Sequence, residues 1–147
     1  MLNQLLIILL APLAAAVLAG FGSPMIGKRG AHRLTIGAVG LACILSVNIA
    51  VRFLLGEQHA MEYTLYSWAK LGTLNIQVGI LLDSLTATMM AVVTFVSLMV
   101  HIYTLGYMKD DPGYQRFFAY ISLFTFAMLM LVMANNFMQL FFGWEAV

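Results

Sequence analysis

Two ionisable side chains, Glu145 and His101, stand inside long apolar stretches of this sequence. Glu145 lies nine residues past Asn136, a residue type suited to helix caps, and nine residues of helix rise about 13 Å. The hydrocarbon core of a bilayer is about 30 Å thick, so a helix that begins after Asn136 places this carboxyl near the membrane centre. A carboxylate at that depth persists mainly where a partner, water or protons reach it.

The position of Glu145 therefore indicates a titrating group in an ion path. A movable cationic partner would let one carboxyl take up and release a proton in turn. No Lys falls at the same depth in this sequence, so we expect the partner to come from a further part of the protein or from another subunit. The alternative is a structural Glu that is buried neutral and hydrogen-bonded to a neighbouring helix.

His101 lies about 27 Å along a predicted helix from Asp83, which places it close to the inner membrane interface. Imidazole exchanges protons near neutral pH, so a relay role is one interpretation. Packing or a hydrogen bond to a neighbouring helix is the more frequent use of such a histidine. The remaining acids have structural explanations: Asp83 is a helix N-cap, Asp110 and Asp111 lie in a loop, and Glu57 and Glu62 lie outside the membrane.

The composition is that of a membrane protein. Hydrophobic residues make up 63% of the 147 positions and charged residues only 9%, with a mean hydropathy of +0.95. A soluble domain has about 25% charged residues, so this chain cannot cover a water-facing surface. The net charge is +1 and the basic residues form no stripe, which argues against nucleic acid as a binding partner. The single cysteine, Cys43, cannot hold an iron–sulfur cluster, and no metal-ligand spacing or Gly-rich phosphate loop occurs, so we expect no cofactor in this chain.

Four stretches without Asp, Glu, Lys or Arg are long enough to predict membrane spans: 1–27, 34–51, 84–108 and 117–144. The last is interrupted at Asn135-Asn136. We therefore predict an all-α polytopic membrane protein with four complete transmembrane helices and the first half of a fifth. The predicted bounds are about 2–24, 34–55, 84–107, 115–134 and 137–147. Because the fifth helix reaches only mid-membrane, we expect a fragment of a longer protein.

Period-two alternation of apolar residues predicts a short outer β-hairpin over about 62–82, between helices two and three. The alternative is an irregular interfacial loop. Five Lys and Arg residues follow helices one and three, whereas two follow helix two, so we expect the N-terminus outside and Lys28 inside.

Three segments at their separations resemble a known family: His101-Ile-Tyr-Thr-Leu-Gly-Tyr-Met108, Tyr114-Gln-Arg-Phe-Phe-Ala-Tyr120 and Asn136-Phe-Met-Gln-Leu-Phe-Phe-Gly-Trp-Glu145. They are similar to the N-terminal part of the L subunit of proton-pumping NADH:quinone oxidoreductase, respiratory complex I. The mitochondrial equivalent is NADH dehydrogenase subunit 5. The resemblance runs from the first helix to the last residue, and it departs at Asn135, where relatives commonly have an acid.

This resemblance implies a proton-translocating, antiporter-like subunit of the membrane arm, acting within an NADH:quinone reductase in a bacterial inner membrane. It implies that Glu145 is a proton-channel residue paired with a lysine on a later helix. Flavin, iron–sulfur clusters and quinone would lie on partner subunits. The partners would be the lipid bilayer and other membrane-arm subunits, especially the neighbouring antiporter-like subunit.

Two other functions stay open. One is the large subunit of a multisubunit Na⁺/H⁺ antiporter, which has no redox partner. The other is a packing-only membrane subunit in which Glu145 is structural. Substitution of Glu145 distinguishes the packing-only subunit from both the proton-translocating subunit and the Na⁺/H⁺ antiporter.

Overall fold

The structure, a computed structural model, describes the backbone of residues 1–71 and 74–147 and the side chains of residues 1–22, 27–67 and 77–147. Within these ranges the chain forms five helices and one two-stranded sheet. In chain order these are α1 Leu2–Phe21, α2 Ser23–Leu54, β1 Met61–Leu71, β2 Leu74–Leu82, α3 Ser84–Tyr107, α4 Tyr114–Val132 and α5 Phe137–Ala146. The predicted all-α membrane architecture with a short hairpin is confirmed.

Four helices are long and apolar enough to cross a membrane: α1, α3, α4 and the part of α2 from Gly27 to Leu54. One of these helices, α3, has a polar side chain as its N-cap. The Asp83 carboxylate accepts a hydrogen bond from the backbone N–H of Thr86 at 2.6 Å, which satisfies a free donor of α3. The predicted N-cap role of Asp83 is confirmed.

The second helix begins earlier than the predicted residue 34. Helix α2 starts at Ser23 and is interrupted at Gly27, whose φ of 67° and ψ of 174° only glycine adopts readily. The cations Lys28, Arg29 and Arg33 therefore lie in the first turns of this helix rather than in a loop. The prediction placed these residues in a loop because they are charged. Lys and Arg are, however, good helix formers, and their long side chains extend the charged ends beyond a membrane boundary.

The hairpin is antiparallel, with Met61 paired to Leu82 and Leu71 to Leu74. The register shifts between Thr64 and Tyr66 and again between Ser67 and Ala69, as bulges do when a strand bends. The predicted turn at Lys70-Leu71-Gly72 falls partly outside the described residues.

The four long helices form one bundle, in which α1 packs on α2 and α4, and α2 packs on α3. At the hairpin end the bundle interior is apolar. Its members come from α1, α2, α3, α4 and β2, and they are Leu5, Ile8, Leu9, Ala42, Ile49, Ile80, Leu82, Ala87, Met90, Leu129 and Met133. Towards the opposite end the buried side chains are more polar, and they include Thr35, His101, Thr104, Ser122 and Thr125.

Candidate functional site

The start of α5 is tied to the hairpin. Asn136 is the N-cap of this helix, because its side-chain oxygen accepts a hydrogen bond from the backbone N–H of Gln139 at 2.9 Å. The Asn136 amide nitrogen also donates to the Gln77 carbonyl at 2.5 Å. Close by, the Leu81 N–H donates to the Met133 carbonyl at 2.9 Å. The predicted helix start at Phe137 is confirmed, and the hairpin holds the turn that precedes it.

One face of α5 is buried. Gln139 is 5% exposed, and its side-chain oxygen accepts a hydrogen bond from the backbone N–H of Gly79 at 3.0 Å. Gly143, one turn later on the same face, lies so close to α4 that a Cβ would come within 2.9 Å of the backbone and Cβ of Leu131. Glycine at position 143 therefore permits the close approach of the two helices.

Glu145 lies on the other side of α5. Two residues along a helix turn by about 200°, so Glu145 faces nearly opposite to Gly143. The side chain is exposed in this chain, and among the described residues it makes no hydrogen bond or ion pair. The expectation that Glu145 finds its partner elsewhere is compatible with this geometry, and its role in proton transfer stays a prediction.

His101 has the opposite environment. The side chain is 0% exposed, and its Nδ1–H donates to the Ser97 carbonyl at 2.8 Å. This bond places a proton on Nδ1, so in the neutral ring it is Nε2 that carries the lone pair. Among the described residues, Nε2 has no hydrogen-bond partner, and the ring packs against Phe118 with centroids 6.0 Å apart. His101 is thus packed on one side and has an unused acceptor on the other.

Two hydroxyl groups connect α3 to α4 beside His101. Ser97 Oγ lies 2.5 Å from Thr125 Oγ1 and 3.4 Å from His101 Nδ1. Because the Thr125 hydroxyl donates to the Ile121 carbonyl at 2.7 Å, Ser97 is the donor in the pair. Further towards α1, the Ser122 hydroxyl donates to the Pro12 carbonyl at 2.9 Å. These bonds fix α4 against its neighbours.

A further polar contact, between Tyr114 of α4 and His32 of α2, is not indicated by the sequence. Tyr114 OH and His32 Nδ1 are 3.0 Å apart, and both rings contact Phe118. Lys28 Nζ lies 5.7 Å from the centre of the Tyr114 ring and donates to the Asp111 carbonyl at 3.1 Å. His32 and Tyr114 are 82 positions apart, so only the close approach of α2 and α4 reveals the pair.

The structure does not bring Glu145 and His101 together, since one lies on α5 and the other on α3, with no hydrogen bond between them. Asn135, the departure from the family pattern, donates to the Glu62 carboxylate at 3.0 Å. An acid at that position could not donate in this way when ionised. Across the described residues, no group of three or more His, Cys, Asp or Glu side chains is placed to bind a metal ion.

Comparison with known proteins assigns the chain to a family. Residues 68–118 match the family model for the N-terminus of chain 5 of NADH-ubiquinone oxidoreductase (complex I). NADH-quinone oxidoreductase subunit L of Neisseria meningitidis serogroup A is 56% identical over 97% of this chain, and that of Rhodobacter capsulatus is 47% identical over 96%. NADH-ubiquinone oxidoreductase chain 5 of Dictyostelium discoideum is 43% identical over 95%.

The chain spans about a fifth of the length of these relatives, 21% of the first and 20% of the second. Within this chain, however, the similarity extends over nearly every residue, which confirms the resemblance found in the three sequence segments. The chain belongs to the family of NADH-quinone oxidoreductase subunit L and NADH-ubiquinone oxidoreductase chain 5, whose N-terminal region it matches.

Proposed function

We propose that this chain is the N-terminal part of a proton-translocating subunit in the membrane arm of an NADH:quinone oxidoreductase in a bacterial inner membrane. In this proposal, electrons pass from NADH through flavin and iron–sulfur clusters to quinone on other subunits. The subunit containing this chain uses the released energy to move protons. Its neighbours are other membrane-arm subunits, including a second antiporter-like subunit, and lipid.

The observation that carries the proposal is Glu145 on the open face of α5. Gln139 and Gly143 bury one face of this helix against the hairpin and α4, whereas Glu145 is exposed on the opposite face. An ionisable group within a membrane helix faces a protein interior, a partner or water rather than lipid. This orientation therefore favours a partner supplied from outside the chain, as a proton path requires.

His101 is proposed as a secondary relay group. Its Nε2 lone pair is buried without a partner among the described residues. Nε2 can therefore take up a proton or accept a hydrogen bond from a water molecule that reaches it. The Na⁺/H⁺ antiporter alternative is less well supported, because the relatives quoted above carry names of NADH oxidoreductase subunits.

The proposal is tested with two variants of the full-length subunit in the assembled complex. Glu145→Gln keeps the size and hydrogen-bonding capacity of the side chain but cannot ionise, so assembly should be normal and pumping should fall. Glu145→Asp keeps a titrating carboxyl and should retain part of the pumping. A structural Glu would give the reverse pattern, with Gln tolerated and the shorter Asp disruptive.

Glu57→Gln provides the matched control, because Glu57 is an exposed acid beyond the end of α2. Its pumping should equal that of the wild type. An assembled Glu145→Gln complex with wild-type pumping would leave the packing-only interpretation in place.

A further inference from the structure

The β-hairpin holds α5 through a side chain within the helix as well as through the turn before it. Four hydrogen bonds join the two regions: Leu81 N–H to the Met133 carbonyl, Asn136 to the Gln77 carbonyl, Asn135 to Glu62, and Gly79 N–H to Gln139. The first three act on the turn. The fourth acts on a residue that belongs to the helix itself, and the bond is buried.

The contact at Gly79 is too close for any other residue. A Cβ at this position would lie 2.8 Å from the Tyr63 carbonyl oxygen and would overlap the side chain of Asn135. The absent side chain is what allows Asn135, in the turn, to approach the strand beside the N–H that donates to Gln139. The bond between Gly79 and Gln139 is therefore part of a tightly fitted contact.

Two contacts on one face determine the rotation of a helix about its axis. Gln139 is bonded to the hairpin, and Gly143, one turn later, lies against Leu131 of α4. If the Gln139 bond is lost, α5 retains its contact at Gly143 and can turn about it. Because Glu145 lies on the opposite side of the helix, any such turn moves its carboxyl sideways.

We propose that Gln139 is a positioning residue that sets the direction in which α5 presents the Glu145 carboxyl, with the hairpin as its anchor. The inference rests on the proposed function of Glu145 as a titrating group. It assigns to the hairpin a role within its own chain, in which a buried backbone N–H of β2 fixes an ionisable side chain about two turns further along α5.

The test measures where the Glu145 carboxyl titrates in the assembled, full-length complex. Dicyclohexylcarbodiimide reacts with protonated carboxyl groups in apolar surroundings, and mass spectrometry of the Glu145 peptide quantifies the product. Modification is followed over a pH series in the wild type and in Gln139→Met, which keeps the length of the side chain but accepts no strong hydrogen bond. The substitution changes no charge, so a shift reports a changed position of Glu145.

We expect Gln139→Met to shift the midpoint pH of modification by about half a unit or more. Gln139→Asn, whose amide is one methylene too short to reach Gly79, should shift it in the same direction and serves if the Met variant fails to assemble. Gln77→Met is the matched control, because the Gln77 side chain bonds only to Thr64 within the hairpin among the described residues. Its midpoint should be that of the wild type.

A wild-type midpoint in Gln139→Met or Gln139→Asn would overturn the inference, and so would an equal shift in Gln77→Met. The result is separable from the proposed function. If Glu145→Gln pumps normally, the proton-path role fails, yet a shift in the Gln139 variants still shows that Gln139 positions Glu145.

Discussion

The two ends of the helix bundle differ in what fills them and in how they are held. The hairpin end has an apolar interior and four hydrogen bonds between the hairpin and the region from α4 to α5. Towards the opposite end, the interior contains the hydroxyl pair Ser97 and Thr125, the imidazole of His101 and the bond between Tyr114 and His32. Hydrogen bonds connect the elements at both ends, and at the end away from the hairpin they come from hydroxyl and imidazole groups, which can exchange hydrogen-bond partners.

We propose that the two ends have different tasks. Fixed contacts near the hairpin determine where α5 and its carboxyl lie. The hydroxyl and imidazole groups towards the Lys28 end, of which His101 and Thr125 are buried and Ser97 is half-buried, are proposed to accept or pass on a proton without a large movement of helices. Substitutions near the hairpin should therefore act on the geometry of Glu145, whereas substitutions around His101 should act on proton exchange and only weakly on geometry.

The largest effect is expected at the contact between α4 and α5. Gly143→Ala places a methyl group within 2.9 Å of the Leu131 backbone, which cannot move aside as a flexible side chain could. Overpacking of this kind costs about 1–3 kcal/mol, and it should displace α5 and remove most of the pumping. Thermal denaturation of the purified complex and vesicle pumping assays measure the two effects.

Gly106→Ala is the control for Gly143→Ala. Gly106 also lies in a helix, but apart from its two chain neighbours and the backbone of its own helix, no described heavy atom is within 4 Å of the position its Cβ would take. The substitution should leave stability unchanged or raise it by up to about 1 kcal/mol. Equal losses in both variants would show that the close approach at Gly143 has no special importance.

A smaller effect is expected at His101. His101→Gln keeps a hydrogen-bonding side chain in the bundle but removes the imidazole ring, whose Nε2 can take up a proton. We expect a normally assembled complex whose pumping falls, but by less than in Glu145→Gln. Normal pumping together with lowered thermal stability would instead assign His101 to packing alone.

The smallest effect is expected at the hydroxyl pair. Ser97→Ala and Thr125→Val remove the 2.5 Å contact from either side. Interhelical hydrogen bonds in membranes contribute about 0.6 kcal/mol on average, so the coupling energy in a double-mutant cycle should be of this size. Reversible unfolding of the full-length subunit in mild detergent measures it. A coupling energy near zero would show that the two hydroxyl groups act independently.

Local features of this chain could be predicted from the sequence because their signals are local. The apolar stretches, the Asp83 and Asn136 caps and the hairpin all depend on residues close together in the chain. The predicted start of α2 at residue 34 differs from the observed Ser23, because the cations that indicate a loop are compatible with a helix end.

The contacts that determine the site are non-local. Gln139 is a polar residue in the first turn of α5, and nothing nearby in the sequence indicates its contact with Gly79, 60 positions earlier. The pairing of His32 with Tyr114 was hidden in the same way. The close approach at Gly143 depends on the angle at which α5 crosses α4, which no spacing of residues specifies.

The central claim is that the Glu145 carboxyl takes part in proton movement. The most direct measurement is the number of protons translocated per NADH oxidised in vesicles that contain the intact Glu145→Gln complex, with Glu57→Gln measured beside it. The account predicts a clearly lowered ratio for Glu145→Gln and an unchanged ratio for Glu57→Gln. An unchanged ratio in an intact Glu145→Gln complex would contradict it.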